Sequence, residues 1–271
     1  MNYTIYNEDV LTGLGKIESD SVQCCITSPP YDSLRTYEHG ETFNFEETAK
    51  ELYRVMCDGG IVCWNIGDSV VNGSETLTSA KQKIFFHEEC GFRIHDTMIY
   101  KKLNFSNPEK TRYQQMFEYV FILSKGKPRV FNPIFDKPNA TAGQTGWGKN
   151  TFTNQDGTKS ERKKKIANEF GMRGNVWEGK TRGQEEGAIE LPHPAMMPKW
   201  LCRDLMFSWS NKGDTILDPF TGSGTTGEIA LRMERKFIGI ELNKKYVDHL
   251  IIPRLEAVAP LFGMAPQTTK G

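Results

Sequence analysis

The stretch TILDPFTGSGTTGEIALRM, Thr215 to Met233, constrains the fold of this 271-residue chain more than any other. A short apolar run stops at an acid and a proline, a turn of small residues follows, and apolar positions then recur at helical spacing. KFIGIEL comes directly afterwards and reads as a second strand. Two strands joined through a helix run parallel, because a parallel pair needs a crossover where an antiparallel pair needs only a tight turn. A parallel sheet has to be covered on both faces, so the unit points to an α/β class.

The rest of the chain repeats this grammar. NYTIY near the start alternates like a strand, and NEDVLTGLGKI places Val10, Leu14 and Ile17 at helical spacing. SVQCCIT reads as a buried strand. FEETAKELYRVMC puts Ala49, Leu52, Tyr53 and Met56 on one helical face before Asp58, Gly59 and Gly60 stop it. GIVCWNIGD is a strand, TSAKQKIFFHEEC a helix closed by Gly91, and RIHDTMIYKK and YVFILSK two more strands. From about residue 126 the periodicity dissolves into Gly, Asn, Lys, Thr and Gln, with KSERKKK inside, until KWLCRDLMFSWS restores a helix. The expected layout is one Rossmann-like, mostly parallel sheet with helices on both faces. Residues 1–125 and 191–271 form this α/β domain, and 126–190 are an irregular basic insertion.

Apolar residues make up 38% and charged residues 25%, and no apolar run approaches the length of about 18 residues needed to span a bilayer. No membrane contact and a cytoplasmic location are the expectation. The six cysteines (24, 25, 57, 63, 90 and 202) form no C-x-x-C pair and no zinc-like spacing with the histidines, so reduced structural thiols and no metal are expected. The formal charge is zero, but it is unevenly spread. From Lys101 to Arg182 there are 17 Lys and Arg against 7 Asp and Glu, leaving 17 against 27 elsewhere. One region is thus suited to a nucleic acid, although a solvated lysine-rich loop has the same composition.

The glycine turn carries the first chemistry. Gly222, Gly224 and Gly227 fit G-x-G-x-x-G, so an NAD-binding oxidoreductase is one reading. Small residues let the backbone approach a ligand, and a helix N-terminus offers free N–H groups. Glu241, after the next strand, is placed to accept both hydroxyls of a ribose. However, Asp218 stands at the start of the turn, where a pyrophosphate would meet a negative charge. That acid suits a cofactor with a positive end such as S-adenosylmethionine, whose adenine Phe220 could cover.

The second site is TSPPY, Thr27 to Tyr31, at the exit of SVQCCIT. Strand exits in an open α/β sheet face the ligand crevice. Proline fixes φ and has no N–H, so Ser28, Pro29 and Pro30 present backbone carbonyls as acceptors, the serine hydroxyl adds another, and Tyr31 offers a flat face. Such a set fits a planar ring bearing an amino group. Hydrogen bonds from its two N–H groups to Ser28 Oγ and the Pro29 carbonyl would free the nitrogen lone pair, and positioning would supply the remainder. A proline-stiffened strand exit with a core tyrosine is the bland alternative.

Together these stretches resemble the S-adenosylmethionine-dependent DNA amino-methyltransferases, whose catalytic motif is (D/N/S)-P-P-(Y/F). The order of TSPPY, basic insertion, HPAMMP and DPFTGSGTTG is similar to their β group, and RVMCDGGIVCWNIGD and FIGIELNKKYVDHLIIPRL extend the likeness over about residues 3–255. The resemblance implies a class I methyltransferase fold with Ser28, Pro29, Pro30 and Tyr31 around the target base. It implies Asp218, Phe220, Gly222, Gly224, Thr225 and Thr226 at the methionine end of the cofactor and Glu241 on the ribose. Asp9 matches an acid near the cofactor adenine, although an acid favoured at a helix N-terminus explains it equally well. His193 matches a motif beside the cofactor, where a packed histidine is the plainer role. Phe117 stands where many relatives carry a histidine before the acid, here Glu118.

The implied partner is double-stranded DNA with its target nucleotide flipped out of the stack. Lys159, Arg162, Lys163, Lys164 and Lys165, with Lys101 and Lys102, are candidates for phosphate contacts, and Arg173, Asn175 and Gln144 for base reading. Among relatives serine in the first motif position goes more often with cytosine N4 than with adenine N6, so cytosine is the expected target and adenine the alternative. Chemistry at cytosine C5 is disfavoured because no Pro-Cys occurs. A homodimer and a companion restriction endonuclease are both left open.

Overall fold

The computed structural model describes residues 2–30, 43–104, 111–145, 151–161, 166–181 and 197–258. In chain order the elements begin with β1 (Tyr3–Tyr6), α1 (Val10–Gly15), β2 (Val22–Thr27), α2 (Phe45–Val55) and β3 (Met56–Ile66). A two-residue-per-strand hairpin of β4 (Val70–Val71) and β5 (Ser74–Glu75) precedes α3 (Thr78–Glu88), β6 (Arg93–Lys102) and β7 (Phe117–Ser124). The insertion holds β8 (Phe135–Pro138), β9 (Thr151–Thr153), β10 (Lys159–Glu161) and β11 (Phe170–Met172). Then come β12 (Val176–Gly179), α4 (Lys199–Trp209), β13 (Thr215–Asp218), α5 (Thr225–Arg232), β14 (Lys236–Ile240) and α6 (Lys244–Tyr246). A π-helical turn, Val247–Ile251, leads into α7 (Ile252–Val258).

Eight strands form one sheet in the order β1-β14-β13-β2-β3-β7-β6-β12. Every neighbouring pair is parallel except β3 with β7 and β7 with β6, so β7 alone runs against the rest. The central strands β2 and β13 are short, largely apolar and buried at all but one position each, as strands covered on both faces require. Successive side chains of β2 separate the two faces. Cys25 joins the core formed by Leu14 of α1, Leu52 and Val55 of α2, Phe86 of α3, and Trp64. Cys24 points the other way, towards Cys63 and Cys202 of α4.

Local chemistry sets the helix ends. The Asn44 side chain accepts from the Glu47 N–H at 3.2 Å and caps α2, whose first turn carries Glu46 and Glu47 and whose last carries Arg54. At α3 the N-cap is Leu77, held at φ 58° with no cap of its own. Asp68 supplies the acceptor instead, taking the Ser79 N–H at 2.8 Å and the Ser79 hydroxyl at 2.5 Å.

Pro133–Gly174 forms a separate compact unit, built from the antiparallel pairs β8–β11 and β9–β10 and a bridge between Thr145 and Ile166. This unit is narrower than the 126–190 insertion expected from composition. Val176–Gly179, inside that range, pairs with β6 as the eighth strand of the main sheet. Its four residues VWEG are too short to stand out beside glycine and charge, and only the partner strand reveals them.

Candidate active site

Strands β2 and β13 lie side by side and parallel, with Cys24 opposite Ile216 and Cys25 opposite Leu217. Their carboxyl ends therefore coincide, although Thr27 and Asp218 are 191 positions apart in sequence. The Thr27 hydroxyl donates to Asp218 Oδ1 at 2.7 Å across that boundary. The S-P-P stretch and the glycine turn thus leave the sheet next to each other. Ser28 and Pro30 are half-buried and Pro29 is buried, while Tyr31 lies outside the described residues.

Asp218 anchors the turn. The Thr226 hydroxyl donates to its Oδ2 at 2.7 Å, the Phe220 N–H to its Oδ1 at 3.1 Å, and the Thr221 hydroxyl to its backbone carbonyl at 2.9 Å. The backbone then passes through two left-handed positions, Gly222 at φ 55° and Gly224 at φ 81°, which a side chain would strain. Gly224 is the N-cap of α5 and can offer no capping side chain, so the first-turn N–H groups face the turn as donors.

Glu241 closes the site from the end of β14. Its Oε2 accepts the Gly222 N–H at 2.8 Å and its Oε1 the Asn243 N–H at 2.9 Å. It therefore braces the glycine turn in addition to any role towards a ribose. Asn7, leaving β1, donates to the Glu241 carbonyl at 2.9 Å and fixes that strand end.

The electrostatics are one-sided. Burial pushes the Asp218 carboxyl above its ordinary range, although bonds from Thr226, Thr27 and the Phe220 N–H oppose the rise. Burial also raises Glu241, against the Asn243 and Gly222 bonds, and the nearby charge of Asp218 adds to the rise. Among the described residues no lysine or arginine compensates either acid. Two desolvated carboxylates without a counterion fit a ligand with a positive end and oppose the pyrophosphate of a dinucleotide. The G-x-G-x-x-G reading as an NAD site thus loses its electrostatic basis.

The other expected residues take varied places. Phe220 is half-buried, its ring 4.9 Å from that of Phe43 and 6.3 Å from that of Trp64. Asp9 is exposed and caps α1, accepting from the Leu11 and Thr12 N–H groups at 3.0 and 3.1 Å and from the Thr12 hydroxyl, which holds its carboxyl below the ordinary range. Thr225 opens α5 and its Oγ1 accepts from Arg254 at 2.9 Å. Phe117 is 37% exposed and meets the ring of Tyr119 edge-on.

The basic candidates are already partly engaged. Lys101 pairs with Glu178 at 2.9 Å and Lys102 with Glu118 at 2.6 Å, and Glu118 also accepts from Asn65 at 2.7 Å. Arg173 holds Asp136 through Nε at 2.9 Å within the insertion unit, and Asn175 donates to Asp96 at 3.2 Å. Lys159 at the start of β10 and Gln144 are exposed. Arg162, Lys163, Lys164, Lys165 and His193 lie outside the described residues. The six cysteines are free thiols, and among the described residues no group of His, Cys, Asp and Glu could hold a metal.

Thr27, Glu228 and Arg254 belong to this site but do not stand out in the sequence. Thr27 is the one hydroxyl in β2 and closes it after three buried apolar residues, a faint signal. Glu228 and Arg232 show their i,i+4 spacing in the letters, whereas nothing local ties Arg254 to the turn.

The DNA methylase family of N6/N4 methyltransferases matches residues 22–252. M.BamHII of Bacillus amyloliquefaciens, an orphan methyltransferase, is 46% identical over 231 residues, covering 84% of this chain and 86% of its own. In fold the chain is similar to the cytosine-N4-specific PvuII DNA methyltransferase, with a TM-score of 0.65 at 19% identity over 91% of this chain and 84% of that one. It is likewise similar to M1.HpyAVI in its SAM complex, with a TM-score of 0.57 at 20% identity over 94% and 98%. The family match over most of the chain and the close relative agree with the paired motif ends on adjacent strands: this chain belongs to the DNA methylase family of N6- and N4-acting methyltransferases.

Proposed function

We propose that the chain methylates the exocyclic amine of a base flipped out of duplex DNA, N4 of cytosine, with S-adenosylmethionine as the donor. The observation that carries the reading is the Thr27–Asp218 hydrogen bond, which joins the acceptor-rich S-P-P exit to the glycine turn at one sheet edge. The uncompensated carboxylates of Asp218 and Glu241 fit a cationic cofactor, and the φ of Gly222 and Gly224 lets the backbone approach it. When bound, S-adenosylmethionine supplies an electrophilic methyl group on a positively charged sulfur.

The chain's own residues do the rest. Asp218 and Glu241 hold negative charge where the cofactor's positive end is favoured, and the α5 N-terminus offers N–H donors to its carboxylate. The Ser28 hydroxyl and the Pro29 carbonyl accept the two N–H groups of the target amine and direct its lone pair. Because the amine itself is the nucleophile, no covalent enzyme intermediate is required. Serine at the head of the motif favours cytosine over adenine, in line with the cytosine-N4 specificity named for the PvuII enzyme. We assign sequence reading to the basic insertion, with Lys159 among its phosphate contacts.

The test is to incubate the protein with S-adenosylmethionine and duplex DNA, digest the DNA to nucleosides and identify the modified one by mass spectrometry. N4-methylcytosine is the expected product. N6-methyladenine would reassign the base, and unmodified DNA would overturn the reading.

A further inference from the structure

A second electrostatic arrangement lies one helical turn from the first and has the opposite character. Glu228 of α5 is buried like Asp218, its side chain 7% exposed. Three cations surround it from three elements. Lys199 of α4 lies at 3.1 Å, Arg232 of α5 at 3.0 Å and Arg254 of α7 at 3.5 Å. Burial pushes the Glu228 carboxyl up, but bonds from Lys199 and Arg232 and the charges of Lys199 and Arg254 bring it below its ordinary range.

Arg254 differs from the other two cations. Its side chain is only 12% exposed, and its guanidinium reaches past Glu228 to the glycine turn. Nη1 donates to Thr225 Oγ1 at 2.9 Å and to Ser223 Oγ at 3.3 Å, the two hydroxyls flanking Gly224. The path of the chain makes this reach possible. The π-helical turn Val247–Ile251 inserts an extra residue before α7, and π turns of this kind gather at functional sites. Ile251 then lies so close to Gly224 that a Cβ there would stand 3.3 Å from the Ile251 Cα.

We propose that Arg254 is a positioning residue for cofactor binding: anchored on Glu228, it clamps the Ser223 and Thr225 hydroxyls and so holds the glycine turn in its ligand-ready shape. The inference rests on the cofactor reading above. A planar guanidinium donates from separate nitrogens in a fixed fork, so Nη1 can hold the two hydroxyls while Nε faces the carboxylate, a spread that a compact ammonium does not reproduce. Glu228 has a second effect. By pairing Arg254 it keeps a cation from turning towards Asp218, whose Oδ2 is held by Thr226, the residue after Thr225. The site therefore remains negative for a positive ligand.

Arg254→Lys and Arg254→Met test the clamp. Lysine keeps a charge for Glu228 and guards against a variant that fails to fold. The dissociation constants for S-adenosylmethionine and for duplex DNA, the KM for the cofactor and the rate at saturating cofactor are measured in each. Both variants are expected to weaken cofactor binding about tenfold, the loss of one charge-assisted hydrogen bond. DNA affinity and the saturated rate should stay within about twofold in Arg254→Lys. Wild-type cofactor affinity in both variants would overturn the proposal, as would an equal loss of cofactor and DNA binding, the sign of general disruption. A wild-type protein that binds no S-adenosylmethionine would overturn the function and leave nothing for Arg254 to position.

Discussion

The glycine-turn unit and the insertion unit are built on opposite principles. Between Ile216 and Leu231 every residue but Phe220 is buried, and each polar side chain there is tied to a neighbouring strand or helix. In Pro133–Gly174 none of the described side chains is buried, and short antiparallel pairs carry the backbone. The contrast fits the role proposed for each. Aligning a small cofactor with one amine needs atoms fixed to a few tenths of an ångström, which dense packing provides. Meeting a charged polymer needs reach and solvated cations, which loops on a simple scaffold provide.

Perturbing the two units should therefore give effects of different size and kind. The largest belongs to Ser28→Ala, expected to lower kcat about a hundredfold, as lost positioning does, while the dissociation constant for S-adenosylmethionine stays within about twofold. Steady-state kinetics and calorimetry check the split, and the reverse pattern would mean the two sites have been exchanged. Asp218→Asn should weaken cofactor binding about tenfold or more with DNA binding unchanged.

The raised carboxyls add a pH signature to the same region. As pH falls through the raised range of Asp218 and Glu241, the acids take up protons and lose the charge that attracts a cation. Cofactor affinity should be full above that range and fall below it, with proton release on binding inside it. The sign for the free protein is opposite. A raised folded pKa favours the protonated native state, so the contribution of these groups to stability is present at low pH and lost as pH rises through that range. Calorimetry in two buffers of different ionisation enthalpy measures the released protons, and Asp218→Asn should abolish its share.

A matched glycine pair sharpens the comparison in stability. A Cβ on Gly227 would stand 2.6 Å from the Phe237 ring and 2.8 Å from Leu255, so Gly227→Ala should cost about 1–3 kcal/mol through overpacking. Gly157 has φ +81° and open space around it, so Gly157→Ala should cost only the left-handed strain, about 1 kcal/mol. Urea denaturation of both variants compares them. The smallest effect is expected in the insertion. Lys159→Ala should reduce the salt dependence of DNA binding by about one unit of slope. Arg173→Ala should change it less, because Asp136 already engages that guanidinium. Equal slopes in the two variants would remove the distinction between an exposed cation and one paired with Asp136.

Legibility in the sequence follows the range of the interaction. Gly222 and Gly224 announce themselves because left-handed backbone selects a residue type at that position. The S-P-P exit is legible for the same reason, since proline writes its torsion into the letters. The helices α3, α4 and α5 lie where their spacing and end signals place them, whereas α2 ends at Val55, and Met56, read as part of its apolar face, opens β3 together with the Asp58-Gly59-Gly60 stop. The reversed direction of β7 is not legible, because a buried strand has the same composition whichever way it runs. The strand Val176–Gly179 is not legible either, because it is a strand only by virtue of its pairing with β6. Asp9 shows a further limit, since an acid before a helix has the same letters whether it caps or binds.

By itself the sequence determined the α/β class, the positions of the two motifs and the chemistry each can offer, because torsional preference and apolar periodicity act over a few residues. Only the tertiary structure decided that Thr27 donates to Asp218, that Glu241 braces Gly222, and that among the described residues three cations gather on Glu228 and none on Asp218 or Glu241. Those contacts join residues as far as 191 positions apart. Strand order and helix docking set such distances, and a local run of letters carries no record of them.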